Sequence, residues 1–326
     1  MDADNENPGN GGKGTMIITV TLNTTVDRTL EIRNFRVGSH EKARLVALKG
    51  GGKGMNISQV LQTLGVGSVA MGLVGMNEMG LFAKLFANSL VPVQYVPTAV
   101  GGPTRLSTTI LDPVNRTETH IREEGASVRK KEIEELERYL EPVVKRGDWL
   151  IFAGSLPPRF PARILRKWIE KFKKVGTRVA LDTSGGALKE AVRSGLDLVK
   201  INREELGELA GKRVESEYAI RQAAKRLLEK AHGVLVTLGK DGCIFVSRDG
   251  AWRARAPEVK VLNTVGAGDA FFAGYLYGEQ EGLRVAERLR WAIAAGSAAA
   301  SSVNLSELTA KKVKSLLKKV IVSRLR

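Results

Sequence analysis

The chain has 326 residues and a mass of 35.4 kDa, and its 43% hydrophobic and 26% charged residues exclude collagen-like, mucin-like and disordered classes. A single cysteine, Cys243, excludes an internal disulfide, and no Cys/His cluster exists to build a structural zinc site. No apolar run reaches the ~20 residues of a membrane span, while the net charge of +16 raises a nucleic-acid or other polyanion-binding reading that the pattern along the chain must answer.

Residues 1–15 (MDADNENPGNGGKGT) are polar and Gly-rich, carry no signal-peptide pattern, and are expected to form a disordered extension before one large domain spanning 16–326. A cytoplasmic location follows from that reading, so the N-x-S/T triplets at Asn23, Asn56, Asn115 and Asn304 carry no glycosylation meaning. Residues 28–49 and 104–123 read as antiparallel strand pairs without intervening helices, predicting a small separate sheet that covers the active edge as a lid. One apolar face of such a lid is left to pair with a second copy or to close over substrate.

Between these pairs lies Gly50-Gly51-Gly52-Lys53-Gly54-Met55-Asn56, followed by a helix pattern at 57–65. Consecutive glycines let the backbone approach a ligand, a helix N-terminus favours anions, and Lys53 adds a full positive charge. The spacing is not that of a Walker A loop, since Gly54 follows the lysine. Next come a strand at 148–154, a helix at 161–176, a strand at 177–183, a helix at 186–195, and strands at 196–202 and 233–239. That alternation predicts a mainly parallel sheet with helices on both faces and chemistry at the carboxyl ends of its strands.

Asn263-Thr264-Val265-Gly266-Ala267-Gly268-Asp269-Ala270 then opens into a helix. The N–H groups of Gly266, Ala267 and Gly268 are expected to converge beside the helix start and stabilise charge on a phosphoryl group. Asp269, in the first turn, is expected to stay ionised beside the positive dipole end and to accept the proton of an attacking hydroxyl. Taken singly, each motif has a plain structural reading: a glycine turn with a solvated lysine, and an Asp helix cap. The end of the chain, 310–326, holds five Lys, two Arg and no acid, and the spacing of Val313, Leu316, Leu317, Val320 and Ile321 predicts a helix packed on a core with its lysines solvated. His40, His120 and His232 are scattered, without triad or metal spacing. Trp149, Trp168, Trp252 and Trp291 read as packing residues.

The two glycine motifs, in this order, resemble the two signatures of the PfkB family of carbohydrate kinases, which share a ribokinase-like three-layer α/β fold. Thr21-x-Asn23 with Asp27, the Gly154-Ser155-Leu156-Pro157-Pro158 turn, Lys200-x-Asn202-x-x-Glu205 and Thr237-Leu238-Gly239-x-x-Gly242 extend the likeness over Met16 to Val303. The resemblance implies that Asp269 is the catalytic base and that the Gly266, Ala267 and Gly268 amides form the anion hole. It implies that Asp27, Gly52, Lys53, Asn56, Arg105 and Ser155 hold the sugar, with Lys53 and Arg105 near its phosphate. It further implies that Lys200, Asn202, Glu205, Thr237, Gly239, Gly242 and Thr264 serve ATP, with Asn202 and Glu205 ordering Mg²⁺ and its waters.

Within the family the sequence looks most like the 1-phosphofructokinase and tagatose-6-phosphate kinase branch, implying transfer from ATP to a ketose phosphate, foremost fructose 1-phosphate, by a homodimer joined through the lid. It departs from that branch at Thr24, at Ser107 (where asparagine is usual), at Ile201 and at Ala270. The alternatives are a tagatose-6-phosphate or fructose-6-phosphate kinase, a ribokinase or nucleoside-type kinase of an uncharged sugar, and a polyanion-binding protein on a degenerate kinase fold.

Overall fold

The computed structural model describes residues 14–87 and 93–325; the expected disorder of residues 1–13 falls outside that range. Thr15, assigned to the extension from sequence, accepts a hydrogen bond on its carbonyl from Gln280 Nε2 at 2.9 Å.

In chain order the elements are β1 (Ile17–Thr21), β2 (Thr25–Glu31), β3 (Arg44–Gly51), α1 (Lys53–Thr63), β4 (Ser68–Gly75), α2 (Met79–Ala87), β5 (Gln94–Val100), β6 (Arg105–Asp112), β7 (Thr117–Arg122), α3 (Lys130–Val143), β8 (Trp149–Ala153) and α4 (Ala162–Val175). They continue with β9 (Arg178–Asp182), α5 (Gly185–Ala191), β10 (Leu196–Asn202), α6 (Arg203–Ala210), α7 (Glu217–Leu227), β11 (Ala231–Thr237), β12 (Cys243–Ser247), β13 (Gly250–Arg255), α8 (Ala267–Gln280), α9 (Val285–Ala300), α10 (Ala310–Leu317) and β14 (Ile321–Leu325).

Ten strands form the main sheet in the order β14-β13-β12-β11-β10-β9-β8-β1-β4-β5, parallel from β11 to β5. Its central strands read as unbroken apolar runs because both faces are covered. Ile18, Val20, Leu150, Phe152, Val179 and Leu181 point into the core packed by α3, α4, α5, α6 and α7. Ile17, Trp149, Ile151, Ala180 and Leu198 point the other way, against α1, α8, α9 and α10. Two-residue alternation thus divides one apolar sequence between two cores. Trp149, Trp168 and Trp252 are buried in these cores, and Trp291 packs on Tyr277 with ring centroids 4.4 Å apart.

The sheet is mainly parallel, as the alternation predicts, and β12, β13 and β14 add an antiparallel end to it. The Asp249-Gly250 dipeptide between apolar runs carries the hairpin signal for the first two of these strands. The C-terminal helix stops at Leu317; Val313 and Leu316 are buried as the spacing predicts, but Ile321 is 66% exposed on an edge strand paired with β13. The β-branched run Val320-Ile321-Val322 and an open partner strand outweigh helical periodicity there. Lys311, Lys314, Lys318 and Lys319 are exposed, and Lys312 Nζ donates to the Ser301 carbonyl and Ser302 Oγ.

The second sheet has the order β3-β2-β6-β7. Its β2/β3 and β6/β7 pairs are antiparallel, as the two irregular sequence regions predict, and β2 runs parallel to β6. It is seated on α1, α2 and β4, where Val26 packs with Met55, Ala70, Val74 and Phe82. At its far end the Asp112 carboxylate accepts hydrogen bonds from the backbone N–H groups of Asn34, Phe35, Val114 and Asn115, tying the turn after β2 to the β6/β7 turn.

Candidate active site

The carboxyl ends of β1, β8, β9, β10 and β11 converge on one edge of the parallel sheet, under the small sheet and beside the start of α8. Gly266 caps α8 in the left-handed region (φ 79°), and Asp269 lies in the helix's first turn, 7% exposed. Asn56, on the first turns of α1, donates from Nδ2 to Asp269 Oδ2 at 2.7 Å. The sequence separation of 213 is spanned because α1 and α8 pack side by side on one face of the sheet.

Burial pushes the Asp269 carboxyl up to about 6, with the Asp182 charge reinforcing it and Lys53, Lys200 and the Asn56 hydrogen bond opposing it. Desolvation thus raises this carboxyl despite its place at a helix start, while leaving it mostly ionised at neutral pH. A carboxylate titrating near 6 is a better proton acceptor at neutral pH than one titrating near 4.

Lys53 Nζ contacts Asp182 Oδ1 at 2.8 Å, and Lys200 Nζ contacts Asp182 Oδ2 at 2.8 Å. Burial disfavours the Lys53 ammonium, but Asp182, Asp269 and Glu205 outweigh it and hold its pKa above the ordinary lysine value. Burial likewise works against the Asp182 carboxylate, and the two lysines overcome it, leaving that pKa low. Asp182 is fully buried at the end of β9, and sequence reasoning passed over it by reading the segment only as a strand. The available signal was a charged residue closing a buried parallel strand. Lys200 also reaches the helix start: a Cβ on Gly268 would lie 3.3 Å from Lys200 Nζ.

The remaining residues singled out from sequence fall into three groups. Asn202 and Glu205 cap α6 reciprocally, each backbone N–H donating to the other's side chain at 2.8 Å. The Glu205 charge is felt at Lys53, so this capping box borders the same centre. Thr237 ends β11, Gly239 and Gly242 shape the turn into β12, and the Thr264 carbonyl accepts from Ala267 N–H at 3.2 Å. That bond engages one of the three amides expected to form the anion hole, leaving those of Gly266 and Gly268 for the role.

Gly51 and Gly52 join the small sheet to α1. A Cβ on Gly51 would fall 2.1 Å from Asp27 Oδ2, so this glycine makes room for Asp27 itself and not for a ligand, as the sequence reading assumed. Gly52 adopts φ 129°, which side chains rarely accept. Asp27 lines a cavity of about 250 Å³ between the small sheet and the loop before α8, together with Ser107, His120, Arg122, Asn263 and Val265. His120, one of the histidines without triad or metal spacing in the sequence, thus lines this cavity. Burial raises the Asp27 pKa against the pull of Lys49, Arg105 and Arg122. Arg105 is tied to main chain, donating to the carbonyls of Asn23 at 3.0 Å and of Thr24 and Glu123 at 3.4 Å. Ser155 Oγ accepts from Asn23 Nδ2 at 3.2 Å. Lys53 and Arg105, both expected beside the sugar's phosphate, have different partners here, Lys53 the Asp182 carboxylate and Arg105 the main chain where β1 passes into β2.

A buried acid, an adjacent helix start, two lysines on a shared carboxylate and a polar cavity under a small sheet form an arrangement suited to phosphoryl transfer onto a hydroxyl. Residues 16–312 match the model of the pfkB family carbohydrate kinases. The chain is 34% identical over 313 residues to the 1-phosphofructokinase of Bacillus subtilis, covering 95% of this chain and 100% of that one. It is 34% identical to the 1-phosphofructokinase of Rhodobacter capsulatus, over 85% and 88%. The solved structure of phosphofructokinase-2 from Escherichia coli in complex with substrates and products superposes with a TM-score of 0.88 at 26% identity, covering 94% of this chain and 99% of that one. The glycine signatures read from sequence, the acid they bring together and the extent of these matches make the chain a member of the pfkB family of carbohydrate kinases.

Proposed function

We propose that the protein transfers the γ-phosphoryl group of MgATP to a free primary hydroxyl of a ketose phosphate, foremost the 6-hydroxyl of fructose 1-phosphate, giving fructose 1,6-bisphosphate and ADP. The observation that carries this reading is the buried Asp269 carboxylate, poised near 6 and held by Asn56 at the start of α8. Asp269 accepts the hydroxyl proton as the new O–P bond forms and the bond to ADP breaks, and Asn56 fixes the orientation of the accepting carboxylate. Lys53 and Lys200, held by Asp182, present positive charge beside Gly268, where the amides of Gly266 and Gly268 add donors for the transferring group. Thr237, Gly239, Gly242 and Thr264 line the nucleotide side.

The oxygen donors of Asn202 and Glu205 suit a hard cation that keeps most of its waters and needs no all-protein cage. A Mg²⁺ ion held there through water would neutralise charge between phosphate oxygens. Likeness to relatives named 1-phosphofructokinase supports the acceptor, and the availability of MgATP supports a cytoplasmic site of action.

An ADP-release assay over fructose 1-phosphate, tagatose 6-phosphate, fructose 6-phosphate and ribose should show fructose 1-phosphate with the highest kcat/KM. Its acidic limb should lie near pH 6, since protonated Asp269 cannot accept the proton. Turnover of ribose alone would replace the reading with a free-sugar kinase. Absence of all turnover, with steeply salt-dependent nucleic-acid binding, would favour the polyanion reading.

The same reading includes a homodimer through the small sheet. Leu45 and Ile121 are 56% and 54% exposed, on the face turned away from Asp27 by the strand register. Sedimentation should give twice the chain mass, and Ile121→Asp with Leu45→Asp should halve it; a wild-type monomer at micromolar concentration would remove the dimer.

A further inference from the structure

Strand β1 is buried along its whole length, yet on the face that α1 covers it follows Ile17 with two threonines, Thr19 and Thr21. Thr19 has a polar partner: its hydroxyl shares a hydrogen bond of 2.9 Å with Ser58 Oγ in the second turn of α1. Thr21 is 1% exposed, and among the described residues its hydroxyl has no hydrogen-bond partner. A buried hydroxyl left unpaired is unfavourable, so what this side chain supplies is shape.

Its two branches occupy the places where the glycines on either side of Lys53 carry no side chain. A Cβ on Gly52 would fall 2.5 Å from Thr21 Cγ2, and a Cβ on Gly54 would fall 2.6 Å from Thr21 Oγ1. The start of α1 therefore rests directly on Thr21. Two groups of the candidate site leave from that turn. Lys53 reaches Asp182 from between the two glycines, and the Asn56 N–H donates to the Gly52 carbonyl at 3.0 Å while its side chain holds Asp269.

We propose that Thr21 is a positioning residue for phosphoryl transfer: its branched side chain sets the height of the α1 start over β1, and so aims Asn56 at Asp269 and Lys53 at Asp182. The inference rests on the kinase reading above and adds to it a residue buried behind the site. A β-branched side chain is stiff about χ1, which suits a spacer. A smaller residue lets the helix start settle toward the sheet, and a larger one lifts it.

The test is kinetics with fructose 1-phosphate and MgATP across pH, together with urea unfolding, on the full chain. Thr21→Ala removes both branches and should lower kcat about tenfold, since displacing a reacting group by ~1 Å is worth up to about 10²-fold. Its acidic limb should move to higher pH. Asn56 and Lys53, which both favour the Asp269 carboxylate, are displaced together, while Asp182 and Lys200 stay on β9 and β10. Thr21→Val keeps the shape without the unpaired hydroxyl and should restore both kcat and the limb. Gly54→Ala alone should lower kcat, and adding Thr21→Ala should recover part of that loss, because the new methyl takes the space of Thr21 Oγ1. If Thr21→Ala does not fold, Thr21→Ser, which loses only the methyl against Gly52, should move kcat and the limb in the same directions by less. Wild-type kcat and an unmoved limb in Thr21→Ala or, failing that, Thr21→Ser, with only a lower urea midpoint, would overturn this inference and leave the kinase reading standing. A loss in Thr21→Val as large as in Thr21→Ala would also overturn it. Lack of turnover of any phosphosugar by the wild type would overturn both.

Discussion

Asp269→Asn should lower kcat by about 10²-fold or more and leave the KM for the phosphosugar close to wild type, because the amide keeps the shape of the carboxylate but takes no proton. The same substitution should make the fold more stable at neutral pH. The carboxyl is raised from 3.8 to about 6 in the folded protein, so the fold favours the protonated acid. For an acid shifted upward, the favourable contribution is fully present below the unfolded pKa and is lost as pH rises through about 6. At pH 8 the ionised carboxylate therefore costs on the order of 1–3 kcal/mol, which a neutral asparagine removes. Urea unfolding of the two proteins should give a gap in that range at pH 8 that closes toward pH 4. Unchanged turnover in Asp269→Asn would remove the acid from the mechanism, and equal stability at pH 8 would show that its burial is not what sets its pKa.

Asp182→Ala should have the largest effect on stability. It takes away the one carboxylate shared by Lys53 and Lys200 and leaves Lys200, 6% exposed, as an uncompensated buried charge. Breaking a buried pair in this way costs about 3–5 kcal/mol. Asp182→Asn, which keeps the volume and one acceptor oxygen, should cost less and still lower kcat, since displacing a reacting group by ~1 Å is worth up to about 10²-fold. The pH dependence has the opposite sign to that of Asp269. The Asp182 pKa is depressed, so its contribution is fully present above the unfolded value and is lost as pH falls through the lower folded one. The stability difference between wild type and Asp182→Asn should hold from pH 8 to about 5 and shrink in more acidic solution. A difference that is flat down to pH 2 would mean that the lysines do not depend on the Asp182 charge.

Local signals carried much of the fold. Apolar runs such as Trp149–Ala153 and Leu196–Asn202, set between helical periods, mark a sheet covered on both faces, and the departures at 28–49 and 104–123 mark the second sheet. The C-terminal residues were harder to read. Whether Val320–Val322 continues a helix or adds an edge strand depends on β13 standing beside it, and helical spacing does not register a partner about 70 residues away. Within the candidate site, Asp269, Asn56, Lys53 and Lys200 were legible because each belongs to a glycine or turn motif. Asp182 was not, since its importance lies in two lysines that approach it from α1 and β10.

By itself the sequence determined the fold class, the two glycine motifs and the acid that follows the second, because turn chemistry, helix starts and hydrophobic period are short-range properties of the chain. Only the tertiary structure decided which charges meet. It turned Lys53 to Asp182, fastened Arg105 to main-chain carbonyls and raised the Asp269 carboxyl by removing it from water. Pairing and desolvation depend on which strands and helices pack against one another, and that information is spread over hundreds of residues and held in no single motif.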